Sequence, residues 1–258
     1  MSKLAFYEDG RADGAAVVLG HSLGSDHRVW DEVAAALSAN WRVVRWDMPG
    51  HGNSEILQGS ATMENLASLV LDGLDQIGVD GFHVVGISLG GMISLALTQA
   101  APERVLSLAM LDSGPALKPP EPWLARAQQV RAEGMGALAE PTMDRWFTPK
   151  FREGKHSDRY LRTLEAFLSC NPEGYAQCCE IIATTDLWPD VEKVTQPTLL
   201  LTGEEDAGMT PAQERELADA LPGASGRFEV LSDARHMTCV EHPELVAAAL
   251  AANLQSAS

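Results

Sequence analysis

Phe82-His83-Val84-Val85-Gly86-Ile87-Ser88-Leu89-Gly90 is the stretch that decides the fold. An apolar, β-branched run leads into Gly86-Ile87-Ser88-Leu89-Gly90, and the helix-patterned segment Met92-Ile93-Ser94-Leu95-Ala96-Leu97 follows. In a G-x-S-x-G turn between a strand and a helix the serine sits at a strained backbone corner. The flanking glycines keep Cβ atoms out of the neighbouring strand and helix. The corner lifts the hydroxyl above the sheet edge and turns the first N–H groups of the helix toward whatever the hydroxyl attacks. The pentapeptide therefore predicts a nucleophile elbow with Ser88 at its tip.

Working outward, apolar β-branched runs alternate with helical patterns, which is the signature of parallel βαβ construction. Strands are predicted at 16–19, 42–46, 82–86, 105–111, 198–201 and 227–231, and helices at 30–38, 63–77, 89–100, 211–221 and 243–253. The alternation breaks once, between 114 and 189, where Pro115, Pro119, Pro120 and Pro122 precede helical stretches at 125–132, 160–169 and 174–182. A helical insertion at that point lies over the carboxyl ends of the strands, where open α/β sheets bind ligands. The expected architecture is α/β, a mostly parallel sheet flanked by helices. Residues 1–113 and 190–258 form the core, and 114–189 form a helical cap.

Length and composition agree with a single domain. The chain has 258 residues, 45% hydrophobic and 21% charged, and no apolar run approaches the roughly 20 residues that span a bilayer. The N-terminus turns acidic at once and has no signal-peptide core, so a cytoplasmic protein is expected. Cys170, Cys178, Cys179 and Cys239 match neither a zinc site nor a disulfide framework and read as reduced, buried thiols. A formal charge of −17 argues against nucleic acid or an anionic membrane as partner, and it requires local cations for any anionic substrate. The sequence leaves open whether two copies pair as a homodimer.

A serine hydroxyl is a weak nucleophile at neutral pH, so Ser88 needs a general base, and the base needs an orienting acid. His236 follows the last predicted strand and precedes the C-terminal helix, which puts it at the same sheet edge as Ser88. His21 and His51 precede the nucleophile, His83 lies inside a strand, His156 is in the cap and His242 stands at a helix start. Asp206, in the turn Thr202-Gly203-Glu204-Glu205-Asp206 after the strand at 198–201, is the expected acid. Asp112, at the end of the strand before the cap, is the alternative. Two N–H donors must meet the oxyanion of a tetrahedral intermediate. Leu89, freed at the helix start, is one, and Leu23, in the loop Gly20-His21-Ser22-Leu23-Gly24, is the other. That loop matches no phosphate-binding fingerprint.

Taken together these segments resemble the α/β-hydrolase superfamily over nearly the whole chain. His21-Ser22-Leu23-Gly24 resembles its oxyanion loop, and Asp47-Met48-Pro49-Gly50-His51-Gly52-Asn53-Ser54 its Asp-x-x-Gly-His-Gly-x-Ser turn. Ala101-Pro102-Glu103-Arg104-Val105 resembles the segment that follows its nucleophile helix. Within the superfamily, the cap segments Gly134-Met135-Gly136-Ala137-Leu138, Arg145-Trp146-Phe147-Thr148 and Asn171-Pro172-Glu173-Gly174-Tyr175-Ala176-Gln177-Cys178-Cys179 resemble the 3-oxoadipate enol-lactonases of aromatic catabolism.

The resemblance implies hydrolysis of a small lactone or ester by Ser88, His236 and Asp206, with no cofactor and no metal. Two places depart from the family pattern. Ala183-Thr184-Thr185-Asp186-Leu187-Trp188 stands where an arginine-bearing segment is expected, and Arg235 stands where glycine is usual. An enol-lactone of this kind carries a free carboxylate, which assigns Arg126 and Arg235 as candidate cations beside Trp123 and Trp146 as candidate substrate-binding residues. The alternatives on the same fold are a broad carboxylesterase, a perhydrolase, or a ligand sensor of slow turnover.

Overall fold

The computed structural model of the protein describes residues 2–154, 157–222 and 226–257. Its centre is a seven-stranded sheet in the order β1-β3-β2-β4-β5-β6-β7. The strands are β1 (Phe6–Gly10), β2 (Ala16–Gly20), β3 (Arg42–Trp46), β4 (Phe82–Ile87), β5 (Val105–Leu111), β6 (Thr198–Gly203) and β7 (Gly226–Leu231). All pairings are parallel except β1 with β3. Every residue of β2, β4 and β6 is buried, as expected of central strands covered by helices on both faces.

The core helices follow the sequence pattern closely: α1 (Asp31–Leu37), α2 (Met63–Gln76), α3 (Leu89–Ala100), α9 (Pro211–Ala220) and α10 (Pro243–Ser256). A short 3₁₀ turn, His27–Trp30, precedes α1 and replaces the first residue of the predicted helix. Thr62 caps α2 through Asn65 N, and Thr210 caps α9 in a full capping box with Gln213. Strand β1 is absent from the sequence reading because Phe-Tyr-Glu-Asp-Gly has no apolar alternation. It is an edge strand laddered antiparallel to β3 and flanked by ion pairs: Arg42 pairs with Glu8 at 2.7 Å and Arg45 with Asp9 at 2.6 Å.

Between β5 and β6 lie five helices, α4 (Glu121–Glu133), α5 (Gly136–Trp146), α6 (Pro149–Arg152), α7 (Ser157–Ser169) and α8 (Pro172–Thr184). Helix α4 packs on α8. Neither α5 nor α6 is predicted from sequence, because Pro141 inside α5, Gly136 at its start and Gly134 before it obscure the helical period, and α6 is a single turn. The insertion is seated on the sheet-edge loops by Asn171 N donating to Gly50 O at 2.9 Å and by Gln177, which bonds both backbone groups of Leu57. Cys170, Cys178, Cys179 and Cys239 are buried and unpaired. Among the described residues no helix is long and apolar enough to cross a membrane.

Candidate active site

Ser88 sits between β4 and α3 with φ 57° and ψ −122°, in the positive-φ region that side chains seldom occupy. A Cβ on Gly86 would lie 2.0 Å from Gly90 O, and one on Gly90 would lie 2.3 Å from Gly20 O, so neither position admits a larger residue. The corner is braced from β5: Ser88 N donates to Leu111 O (2.8 Å), and Ser113 Oγ donates to Ser88 O (2.7 Å).

The other two members of the expected trio arrive on the loops after β6 and β7. His236 Nδ1 lies 2.7 Å from Asp206 Oδ2, a pairing in which an Nδ1–H donates to the carboxylate and the neutral ring offers Nε2 as its acceptor. Asp206 Oδ1 accepts from the amides of Gly208 (2.7 Å) and Met209 (3.2 Å). Burial pushes the Asp206 carboxyl up, but His236 and these backbone donors outweigh it and leave the group below the ordinary carboxylate range. Ser88 and His236 line one cavity of about 120 Å³ beneath the helical insertion.

Asp112 also lines this cavity, yet its oxygens are turned to other work. Oδ1 accepts from Gly203 N (2.9 Å), and Oδ2 accepts from Thr238 Oγ1 (2.5 Å). Burial and then the neighbouring Asp206 hold its carboxyl well above its ordinary value. Glu214 on α9 completes a stack of buried acids. Its Oε1 accepts from Ser113 N at 2.7 Å, its Oε2 is buried with no partner among the described residues, and burial and then Asp112 raise it strongly as well. Glu214 is invisible in the sequence, since α9 reads as an ordinary charged surface helix.

The loop expected to supply an oxyanion donor is fixed by two histidines. His51 Nε2 accepts from Gly24 N (2.9 Å), and His21 Nε2 accepts from Met48 N (2.8 Å). Each must be neutral to accept, and burial favours that: it lowers His21, and with help from neighbouring His21 it pushes His51 down to about 3. The other rivals are also occupied. His83 bonds Ser107 Oγ inside the sheet, and His242 bonds Asp233 O, while His156 lies outside the described residues. Leu23 borders the cavity, and Leu89 opens α3, where its amide has no carbonyl one turn back to bond.

Of the residues expected at the substrate, Trp123 and Trp146 line the cavity, whereas Arg126 and Arg235 are not among its lining residues. Arg126 lies behind the wall, its guanidinium bonding Tyr175 Oη and Thr142 Oγ1, both at 2.5 Å. Arg235 is turned away and donates to the carbonyls of Asp144 (2.6 Å) and Phe147 (3.3 Å). Trp188, at the other departure, starts a 3₁₀ turn, and Asp186, two residues before it, pairs with Lys118; neither lines the cavity.

The cation that does face the cavity is Arg145 on α5. Burial, then neighbouring Arg126, disfavours its charge, and among the described residues no acid forms an ion pair with it. The cap motif Arg145-Trp146-Phe147-Thr148 does not reveal this facing, because Pro141 hides the period of the helix that carries Arg145. Among the described residues no cluster of three or more His, Cys, Asp or Glu is placed to hold a metal ion.

A strained serine at a strand-to-helix corner, under a helical insertion and over a sheet of this order, defines a class. The chain belongs to the alpha/beta hydrolase family, whose model matches residues 15–249. It is 32% identical over 236 residues to 3-oxoadipate enol-lactonase 1 of Acinetobacter baylyi, covering 92% of this chain and 87% of that protein. Among solved structures it superposes on the enol-lactonase from Burkholderia xenovorans LB400 with a TM-score of 0.94 and 34% identity, over 98% of this chain and 97% of that one. A thermophilic esterase from Thermogutta terrifontis, solved with malate bound, gives a TM-score of 0.92 at 28% identity, over 99% and 94% of the two chains.

Proposed function

We propose that the protein is a serine hydrolase that cleaves a small lactone or ester bearing a carboxylate, with 3-oxoadipate enol-lactone as the substrate of choice. One observation carries the reading: Ser88, held in its strained corner, shares a cavity with His236, whose Nδ1 is paired with Asp206. In this reading Ser88 Oγ attacks the acyl carbonyl and His236 Nε2 takes its proton. The amides of Leu23 and Leu89 donate to the oxyanion. Collapse of the tetrahedral intermediate breaks the ring C–O bond, and the departing enol oxygen takes the proton from His236. Water, deprotonated by the same imidazole, then releases the acyl group from Ser88.

The carboxylate is supported by Arg145. A half-buried guanidinium without an acid partner, backed by a second arginine, leaves positive potential inside a protein of net charge −17, and a substrate anion is the group that neutralises it. Likeness to two enol-lactonases over nearly full length points the same way. A broad carboxylesterase is the second reading, favoured by the cation-free segment at 183–188 and by the likeness to the Thermogutta esterase.

The test compares wild type and Ser88→Ala on p-nitrophenyl acetate, then wild type on 3-oxoadipate enol-lactone and its methyl ester. Ser88→Ala should lose at least ~10³-fold of turnover while remaining folded. Turnover at the wild-type rate would end the mechanism, and equal kcat/KM for acid and methyl ester would favour the broad esterase.

A further inference from the structure

One seam of hydrogen bonds joins residues 144–148 and Arg159 of the insertion to residues 235–241, the loop that carries His236. Met237 N donates to Trp146 O (3.2 Å), the Arg235 guanidinium reaches the carbonyls of Asp144 and Phe147, and Arg159 Nη1 donates to Val240 O (2.7 Å). At the middle of the seam is Glu241, 6% exposed. Its Oε1 accepts from both Thr148 N (2.9 Å) and Thr148 Oγ1 (2.7 Å), and its Oε2 accepts from Arg235 N (2.7 Å).

The two ends of that carboxylate matter because of their neighbours. Arg235 immediately precedes His236 in the chain, and Thr148 lies two residues after Trp146 and three after Arg145, both of which line the cavity. Burying a carboxyl costs free energy that the fold has no general need to spend, and burial does push Glu241 up. An apolar residue at 241 would leave the amides of Arg235 and Thr148 without an acceptor, so the carboxyl does here what packing cannot.

We propose that Glu241 is a positioning residue: it clamps the backbone before His236 to the substrate-facing segment of the cap, so that imidazole and cap wall reach the acyl group together. This rests on reading His236 as the general base. Without the clamp the loop still closes, but the imidazole loses its fixed register with Ser88. Chemistry slows while substrate binding to the cap residues persists. Misplacement of about 1 Å is enough to cost on the order of 10²-fold in rate.

The experiment uses the full chain and four variants, Glu241→Gln, Thr148→Val, Thr148→Ser and Ser88→Ala. It reads kcat and KM on p-nitrophenyl acetate, the thermal midpoint, and the downfield proton NMR resonance of the His236–Asp206 hydrogen bond. Glu241→Gln keeps shape but offers only one acceptor oxygen, so one side of the clamp is lost. Its kcat should fall about 10- to 100-fold with KM within about twofold, and the downfield resonance should shift or broaden. Thr148→Val should move the same readouts less, and Thr148→Ser should restore them.

A folded Glu241→Gln with kcat within twofold of wild type and an unmoved resonance overturns the proposal. So does a lowered thermal midpoint with the resonance unmoved, which marks a purely structural role. If Glu241→Gln does not fold, the Thr148 pair decides, and equal kcat and resonance in Val and Ser variants refute the clamp. Loss of activity in Ser88→Ala with none in Glu241→Gln leaves the triad standing and removes the clamp alone, whereas activity retained in Ser88→Ala removes both.

Discussion

Replacing Arg145 with methionine separates charge recognition from catalysis. Arg145 lines the cavity with Ser88 and His236 but has no acid partner among the described residues, so its removal breaks no ion pair within the protein. A charge-assisted hydrogen bond to a substrate carboxylate in such a site is worth about 1.5–3 kcal/mol. At about 1.4 kcal/mol per tenfold, KM for 3-oxoadipate enol-lactone should rise roughly 10- to 100-fold. The methyl ester has no anion to lose, and its KM should stay within about twofold. Burial already disfavours the Arg145 charge, so the thermal midpoint of Arg145→Met should equal or exceed that of wild type. Steady-state kinetics on the acid and ester pair, with a melting curve of each variant, make the assay. Equal KM increases for both substrates, or a KM for the acid that does not move, would refute the assignment of Arg145 as the carboxylate site.

Further outcomes follow from the acid groups. Asp206→Asn should slow turnover by about 10⁴-fold with KM little changed, because the amide no longer holds Nδ1–H, whereas Asp112→Asn should cost under about tenfold. Stopped-flow or steady-state kinetics on p-nitrophenyl acetate separates the two, and a reversed order would move the acid to Asp112. Glu214, its carboxyl raised by burial, binds its proton more tightly folded than unfolded. The stability it allows is present below the unfolded carboxyl range and is lost as pH rises through the folded value. Glu214→Gln should therefore raise the thermal midpoint at pH 8 more than at pH 4, and the opposite ordering would show that the carboxylate is not the destabilised form.

The sheet and its flanking helices are legible because buried parallel strands leave long apolar runs, and because glycines 86 and 90 mark a strand-to-helix turn that admits nothing larger. Asp206 and His236 were legible as loop residues at the right strand ends. What stayed hidden was side-chain direction. Arg126 and Arg145 are both cap arginines, and only the unforeseen helix α5, interrupted in sequence by Pro141, determines that Arg145 faces the cavity while Arg126 backs Tyr175. Arg235 neighbours His236 in the chain but points to the opposite side, bonding cap carbonyls. Glu214 and Glu241 were hidden for a related reason: nothing in a charged helix or in Val-Glu-His-Pro distinguishes a buried carboxyl from a solvated one. Edge strand β1 carries no hydrophobic signal because its cohesion with β3 is partly ionic.

The central claim is that Ser88 is the covalent nucleophile. The direct measurement is reaction of the intact protein with diethyl p-nitrophenyl phosphate, in which Ser88 Oγ forms the P–O bond, p-nitrophenolate leaves and the hydroxyl proton passes to His236. Release of one equivalent of p-nitrophenolate per chain should accompany loss of esterase activity. Peptide mass spectrometry should place the diethylphosphoryl group on Ser88, and Ser88→Ala should remain unlabelled. A label on another residue, or full labelling of Ser88 with activity intact, would contradict the account.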